Sequence, residues 1–374
     1  MQSFNWNRRT VLAAGGGALS LMAAGALRAQ GAAPASTGPR NLITDVAGLT
    51  VGQADDPRVR TGTTVILGDG LLQAAIDVRG GGPGTRESDV TDAHNLVHAV
   101  NAVTLSGGSS YGLAAADGVA TELGARGIGY GGLARDGVPV SPIVTAAILY
   151  DLANGGDKAW GANPPYNDLG RRAFTSAGAD FALGTAGAGY GAMAGGLKGG
   201  VGSASTLASG GFTVGAIVAV NSLGSVIAPG TRHFWASPFE LGDEFGGLPP
   251  RALRAGPEEW GLTKLARARE NTTIACVATD LALSATELKR VAIMAQDGLA
   301  RAIRPVHSPF DGDVVFALAT AKREAPADEM ARHAVTMQVG AIAADTLARA
   351  VARGVFAATP PPGADVTCWR DLPA

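Results

Sequence analysis

The chain has 374 residues, of which 46% are apolar, 17% charged and 5% aromatic, and its formal net charge is -2. Without a Lys/Arg run in its body, that near-neutral balance excludes an electrostatic footprint for nucleic acid or an anionic membrane. A sizeable core is expected, and 54 glycines predict close-packed layers of Ala, Val and Leu with near backbone approaches.

At the N-terminus, Asn7-Arg8-Arg9-Thr10-Val11-Leu12 leads into an Ala/Gly/Leu stretch that ends at Leu27-Arg28-Ala29 before Gln30. Twin arginines ahead of a weakly apolar segment resemble a Tat-type export signal, so residues 1–29 are expected to be removed and the protein to be periplasmic. The segment is interrupted by glycine and short of the ~20 residues of a membrane span. No stable membrane insertion is therefore expected after its removal, with an uncleaved anchor as the alternative. Export reaches an oxidising compartment, yet Cys276 and Cys368 alone exclude a disulfide framework. Cys276 reads as a small core residue.

After a linker at 30–40, residues 42–51, 61–67 and 71–78 read as strands, the first two separated by a turn at Asp55-Asp56-Pro57. The glycine turn Arg79-Gly80-Gly81-Gly82-Pro83-Gly84-Thr85 can present backbone N–H groups to a ligand. A short helix is expected over 92–101. The segment 103–105 then enters Gly107-Gly108-Ser109-Ser110-Tyr111-Gly112, followed by an Ala-rich helix over 113–125. Residues 144–152 form an apolar segment and 169–177 another helix. The run 184–211 is dominated by Gly, Ala and Ser, with Lys198 its one charge. A strongly apolar strand is expected at 213–221, continued by a partner at 226–227.

From 232 to 271 the composition turns to Pro, Gly and charge, the signature of a linker, and it stops at Asn271-Thr272-Thr273. An apolar strand follows at 274–279. Ser284 and Glu287 make a capping box for a helix to about 303. A strand at 314–318 and a final helix over 328–353, stopped by Gly354, complete the pattern. Helices interleaved with strands apolar on both faces indicate an α/β fold of sheets covered by helix layers.

The junction at Thr272 carries the most specific chemistry. If the bond before it breaks, Thr272 becomes an N-terminus whose α-amine, titrating at about 7.7 to 8.0, can take the proton of its own hydroxyl. Such a nucleophile needs donors for an oxyanion, a group to polarise the hydroxyl, and carboxylates to hold the ammonium. Lys198, alone in its Gly/Ala/Ser loop, could have its pKa lowered by desolvation, or be an ordinary solvated lysine. Asn221 ends an apolar strand and could equally be a turn former. Asp311 and Asp313 flank a glycine, which is also how a plain Asp-Gly turn reads. Tyr111 could donate its hydroxyl to an oxyanion.

Three competing motifs are present. Gly108-Ser109-Ser110-Tyr111-Gly112 fits the G-x-S-x-G elbow, with His307 and His333 downstream as an α/β-hydrolase would order them. His94 and His98 have i, i+4 metal spacing but no third ligand. Gly187-Ala188-Gly189-Tyr190-Gly191-Ala192 imitates a dinucleotide turn without a strand ahead of it. A non-catalytic periplasmic binding protein also remains open.

Taken together, Asn271-Thr272-Thr273-Ile274, Val277-Ala278-Thr279-Asp280, His307-Ser308-Pro309-Phe310-Asp311-Gly312-Asp313 and the Gly107 to Gly112 turn resemble the self-processing aminopeptidases. That family includes the L-aminopeptidase/D-esterase, the β-peptidyl aminopeptidases and the endo-type nylon-oligomer hydrolase, and the resemblance spans 41–355. It implies a four-layer αββα sandwich, a cut into a larger fragment (41–271, with 232–271 as processing linker) and a smaller one (272–374), fragments that stay associated, and a homotetramer. It further implies Thr272 as nucleophile, Asn271 as donor of the attacked carbonyl, and Lys198, Asn221, Asp311 and Asp313 as catalytic partners. Tyr111 matches an oxyanion-hole tyrosine, and Gly108 and Ser109 fall with it among the expected substrate contacts. A threonine with two aspartates departs from the serine of the characterised β-peptide enzymes and moves the chemistry toward the nylon-oligomer branch. The expected substrate is a short peptide cleaved at its N-terminal amide, or a 6-aminohexanoate oligomer cut internally, with no cofactor and no metal.

Overall fold

The computed structural model describes residues 36–92, 94–131, 137–264 and 271–373. The export signal at 1–29 and most of the 30–40 linker lie outside the described residues, as do residues 265–270 of the expected processing linker. Among the described residues no helix is long and apolar enough to cross a membrane.

Residues 57–60 turn β1 (Leu49–Asp56) back onto β2 (Thr61–Val78). The two strands expected at 61–67 and 71–78 are one 18-residue strand, because the chain stays extended through Gly68, Asp69 and Gly70 while its pairing shifts register between Leu67 and Leu72. The short β3 (Thr85–Arg86) is followed by β4 (Ala99–Ser106) and β5 (Val144–Ile148). On the far side come β8 (Gly200–Leu207), β9 (Thr213–Asn221), β10 (Thr272–Leu281) and β11 (Val314–Arg323). They join in the order β3-β5-β4-β2-β11-β10-β9-β8, with β1 on β2, and β6 (Met193–Ala194) and β7 (Leu197–Lys198) make a separate ribbon.

Side-chain alternation along these strands sorts the interior into three cores. Val65, Leu67, Ala102, Val144 and Ala146 pack against α1 (Ala114–Ala125) and α2 (Tyr166–Thr175). Ala275, Val277, Val315 and Ala317 pack against α3 (Ala285–Ala302) and α4 (Glu329–Phe356). Between them, Ile66, Val103 and Leu105 from one half of the sheet meet Ile217, Ile274, Cys276 and Phe316 from the other. Two sheet halves stacked face to face with a helix pair on each outer side form the αββα layering. The long β2 belongs to both halves.

Several local expectations are corrected. The helix expected at 92–101 does not form: residues 94–98 are turn and coil with Leu96 exposed, and β4 begins at Ala99, buried along its whole length so that its apolar run serves both faces of a strand. His94 and His98 therefore do not share a helix face. Within 42–51 only the end is strand, after a 3-10 turn at Ile43–Asp45, and in 226–227 Ile227 makes only an isolated bridge to Phe234 rather than a strand. Gly354 does not stop the last helix. It lies inside α4, where a Cβ would meet the Gly202 nitrogen at 2.8 Å and a Cβ on Gly202 would meet the Ala350 carbonyl at 1.8 Å. Glycine at this crossing lets the helix backbone touch β8.

The 232–264 part of the expected processing linker has little regular structure, yet it is fastened to the body. Phe234 stacks on Trp369 with ring centroids 5.4 Å apart, and Phe245 joins the same core. Glu244 pairs with Arg349 of α4, both nearly fully buried, and accepts a further hydrogen bond from Asn41 at 2.6 Å.

Candidate active site

Thr272 is the first residue of β10, 4% exposed, and stands directly opposite Asn221, the last residue of β9. The period-2 alternation that turns Ile274 and Ala219 into the space between the sheet halves turns Thr272 and Asn221 there too. The Thr272 hydroxyl donates to the carbonyl of Asn271, the peptide group just before it. Asn271 is also buried, and neither polar atom of its side-chain amide has a hydrogen-bond partner among the described residues.

The loop entering β11 closes the other side. Asp313 Oδ1 accepts the Thr273 N–H at 2.8 Å, and its Oδ2 accepts the His307 N–H at 3.1 Å and faces His307 Nδ1 at 2.8 Å. Asp311 accepts the Leu223 N–H at 3.1 Å and the Ser308 N–H at 3.2 Å. Burial pushes the Asp311 carboxyl above the usual carboxylate range and the neighbouring Asp313 charge adds to it, against the bonds from Ser308 and Leu223. Between the aspartates, Gly312 leaves room for the threonine: a Cβ there would stand 2.7 Å from Thr272 Oγ1. The glycine turn after β2 wraps this loop, with Gly82 donating its N–H to the Asp311 carbonyl at 2.8 Å and Arg79 donating to Asp313 at 3.0 Å. Thr272 opens into a cavity of 320 Å³ lined also by Gly82, Pro83, Ser109, Ser110 and Tyr150.

Gly108 and Ser109 adopt left-handed backbone conformations, with φ of 88° and 51°. They are held by Asp151, whose Oδ1 accepts the Gly108 N–H at 2.8 Å and whose Oδ2 accepts the Thr61 hydroxyl at 2.7 Å. Asp151 is fully buried, and burial raises its pKa against the hydrogen bond from Thr61. Ser110 reaches the cavity but has no hydrogen bond to either candidate histidine: His307 is on Asp313 and His333 is exposed on α4. The α/β-hydrolase arrangement is not assembled.

Asn221, Asp311, Asp313, Asn271 and Thr272 thus come together, and Gly108 and Ser109 lie on the same side. Tyr111 is 49% exposed, packs edge-on against Trp160 with centroids 5.6 Å apart, and is not in the cavity lining. Lys198 is 1% exposed, with its ammonium donating to the carbonyls of Gly189, Ala192 and Gly199 at 2.9, 2.9 and 2.7 Å. The glycine run that imitates a dinucleotide turn is therefore part of the cradle of this lysine. Burial pulls Lys198 down to about 7, against the charges of Cys368 and Asp151. It faces a second cavity of 300 Å³ with Arg60, Tyr190 and Met193, and reaches Asn221 through backbone: Met193, its partner in the β6–β7 ribbon, donates its N–H to Asn221 Oδ1 at 2.9 Å.

Sequence reasoning missed Asp151, which no motif marks, and Lys264, which reads as one linker charge among several. Lys264 Nζ lies 3.1 Å from Asn221 Oδ1 and 3.2 Å from its backbone oxygen. His307 was given a role only as a hydrolase histidine, although it opens the motif that ends at Asp313. Its position six residues before Asp313, in a run that includes Asp311, was the available signal.

The pattern of peptidase family S58 matches residues 41–368 of the chain. An uncharacterized aminopeptidase of Mycobacterium tuberculosis is 44% identical over 355 residues, covering 89% of this chain and 98% of the relative. A 6-aminohexanoate-oligomer endohydrolase of an Agromyces strain is 30% identical over 312 residues, 78% of each. Among solved structures, a Burkholderia β-aminopeptidase superposes with a TM-score of 0.65 at 21% identity, covering 91% of this chain and 94% of the other. The L-aminopeptidase D-Ala-esterase/amidase of Ochrobactrum anthropi, described as a variant of the Ntn-hydrolase fold, gives 0.60 at 23% identity over 88% and 89%. These two likenesses identify the fold.

The buried lysine sets a pH dependence. Lys198 titrates near 7 when folded and near 10.5 otherwise. Between those values the unfolded chain binds a proton that the folded chain lacks, so this group favours folding increasingly as pH rises and contributes no slope below 7. Urea unfolding of wild type and Lys198→Met from pH 7 to 10 is expected to show the difference moving in favour of wild type. A constant difference would mean that Lys198 is not depressed.

Proposed function

Because the chain belongs to peptidase family S58 and is a hydrolase of amide bonds, we propose that Thr272 is its nucleophile, freed when the chain cuts itself after Asn271. The observation that carries this reading is the Thr272 hydroxyl lying against the Asn271 carbonyl at a strand end bounded by Gly312 and Asp313. In maturation, Thr272 Oγ attacks the Asn271 carbonyl carbon, the C–N bond breaks, and the amine keeps the proton given up by the hydroxyl. Water then hydrolyses the ester, leaving a carboxyl group on Asn271 and a free amine on Thr272.

In turnover the amine accepts the hydroxyl proton as Oγ attacks a substrate amide, then passes it to the leaving amine, and water clears the acyl-enzyme. Asn221, across the strand pair from Thr272, is the nearer support for the oxyanion; Tyr111 would have to turn away from Trp160 to join it. The Asp311 and Asp313 carboxylates already engage Thr273, His307, Leu223 and Ser308. That favours their holding the Thr272 ammonium over binding the amine of a substrate. Lys198 is best placed to act through the backbone that supports Asn221.

The substrate reading is an aminopeptidase of short peptides, supported by the aminopeptidase name of a relative at 44% identity. Internal cleavage of 6-aminohexanoate oligomers is the second reading, supported by the threonine with its aspartate pair and by the 30% identical endohydrolase. Tat-type export to the periplasm and a homotetramer that retains both fragments complete the proposal.

Purified wild type is expected to run as two bands and Thr272→Ala as one band without amidase activity; an uncut wild type with full activity would refute the reading. Gly312→Ala places a methyl group against the nucleophile, and a misplacement of this order lowers turnover about 100-fold. Measured kcat/KM on an amino-acid p-nitroanilide checks this, and a value near wild type would mean that the hydroxyl does not work from this position.

A further inference from the structure

We propose that Lys264 is a positioning residue for self-cleavage, acting from the segment that the cut releases; the inference rests on Thr272 as the residue that breaks the chain. Its ammonium clasps Asn221 twice, at the backbone oxygen and at Oδ1, with Nζ at 3.2 and 3.1 Å. Asn221 is the residue directly opposite Thr272.

The clasp fixes which way the Asn221 amide points. An amide has one accepting and one donating end, and its orientation follows from the partners around it. Here Oδ1 receives Lys264 and the Met193 N–H, so Nδ2 is sent the other way, to the Tyr150 carbonyl at 3.0 Å. Tyr150 lines the cavity into which Thr272 opens. Lys264 therefore reinforces the orientation that turns the donor end of Asn221 toward the reacting side, where an oxyanion can use it. The other lysine near Asn221 cannot substitute, because the ammonium of Lys198 is held by three carbonyls.

The backbone around Lys264 pins the precursor at the same place. Lys264 donates its N–H to the Leu223 carbonyl at 3.0 Å, and Leu223 donates its own to Asp311 at 3.1 Å. Two residues earlier, Leu262 accepts the Gly196 N–H at 2.8 Å. Lys264 on one side of the cut and Thr272 on the other are thus both fastened at the end of the β9–β10 pair, which holds the scissile peptide for attack. Cleavage removes one of the two fastenings. Lys264 is then tethered to the body from its N-terminal side only, which weakens its hold on Asn221, while Asn221 Oδ1 keeps the Met193 N–H. The residue is specific to maturation for this reason.

The test is the rate at which freshly produced full-length chain converts to two bands, together with kcat divided by the fraction of chains cut. Lys264→Met is expected to cut about tenfold more slowly or worse, the scale of a lost positioning contact, with kcat per cut chain falling by less than about threefold. Lys264→Arg, which restores a cationic donor, is expected to recover most of the cutting rate. Thermal melting of each variant in a Thr272→Ala background, which cannot cut, separates loss of positioning from loss of folding. Cutting of Lys264→Met at the wild-type rate would overturn the proposal. So would an equal loss in cutting and in kcat per cut chain, or failure of Lys264→Arg to recover cutting while its melting temperature is preserved. A wild type that never cuts would instead overturn the Thr272 reading, and the same gel reports it.

Discussion

The register of β9 against β10 is the constraint on which the rest of the site depends. Asn221 and Thr272 meet only because residues 214–221 run antiparallel to 272–279 without a shift, and a slip of one residue would turn Thr272 out of the space between the sheet halves. The register is fixed by burial on both faces: Ile274, Cys276 and Ala278 fill the central core while Ala275 and Val277 fill the helix-covered one. Asp313 then locks the end of the strand by accepting the Thr273 N–H. Hydrophobic packing sets the position, and one buried carboxylate fastens the strand end.

Around that strand end, charge is used sparingly and always with partners. Asp311, Asp313 and Asp151 are buried, and each is met by hydrogen-bond donors: Leu223 and Ser308, Thr273 and His307, Gly108 and Thr61. Such groups would be costly unpaired. Paired, they stiffen the three loops that surround Thr272 and so hold the shape of the cavity beside it. A chain with only 17% charged residues can build this site because few of its charges are needed for it.

Much of this was legible in the sequence where local pattern decides the outcome. The apolar run at 213–221 is β9 to the residue, and Ser284 with Glu287 caps α3, with the Ser284 N–H donating to Glu287 at 2.8 Å. Thr272 stood out because composition changes at the residue before it. Contacts distant in sequence were not legible. Asp151 holds a turn 43 residues away, Lys264 clasps a residue 43 positions earlier, and Gly354 faces Gly202 across a helix–strand crossing. In each case the residue alone has a commoner meaning, as loop acid, linker charge or helix stop. The helix expected at 92–101 failed because two local structures share that stretch: residues 94–98 are turn and coil with Leu96 90% exposed, and only the last three residues belong to β4.

Two events define the proposed chemistry: Thr272 becomes an N-terminus, and it carries the acyl group. Mass spectrometry of the smaller fragment, alone and after acid quench during turnover of a slowly hydrolysed ester, addresses both parts. The expected fragment begins Thr272-Thr273-Ile274 and gains the mass of one acyl group, localised by fragmentation to Thr272. A fragment with another first residue, or an acyl group found on Ser110 of the larger fragment, would contradict it.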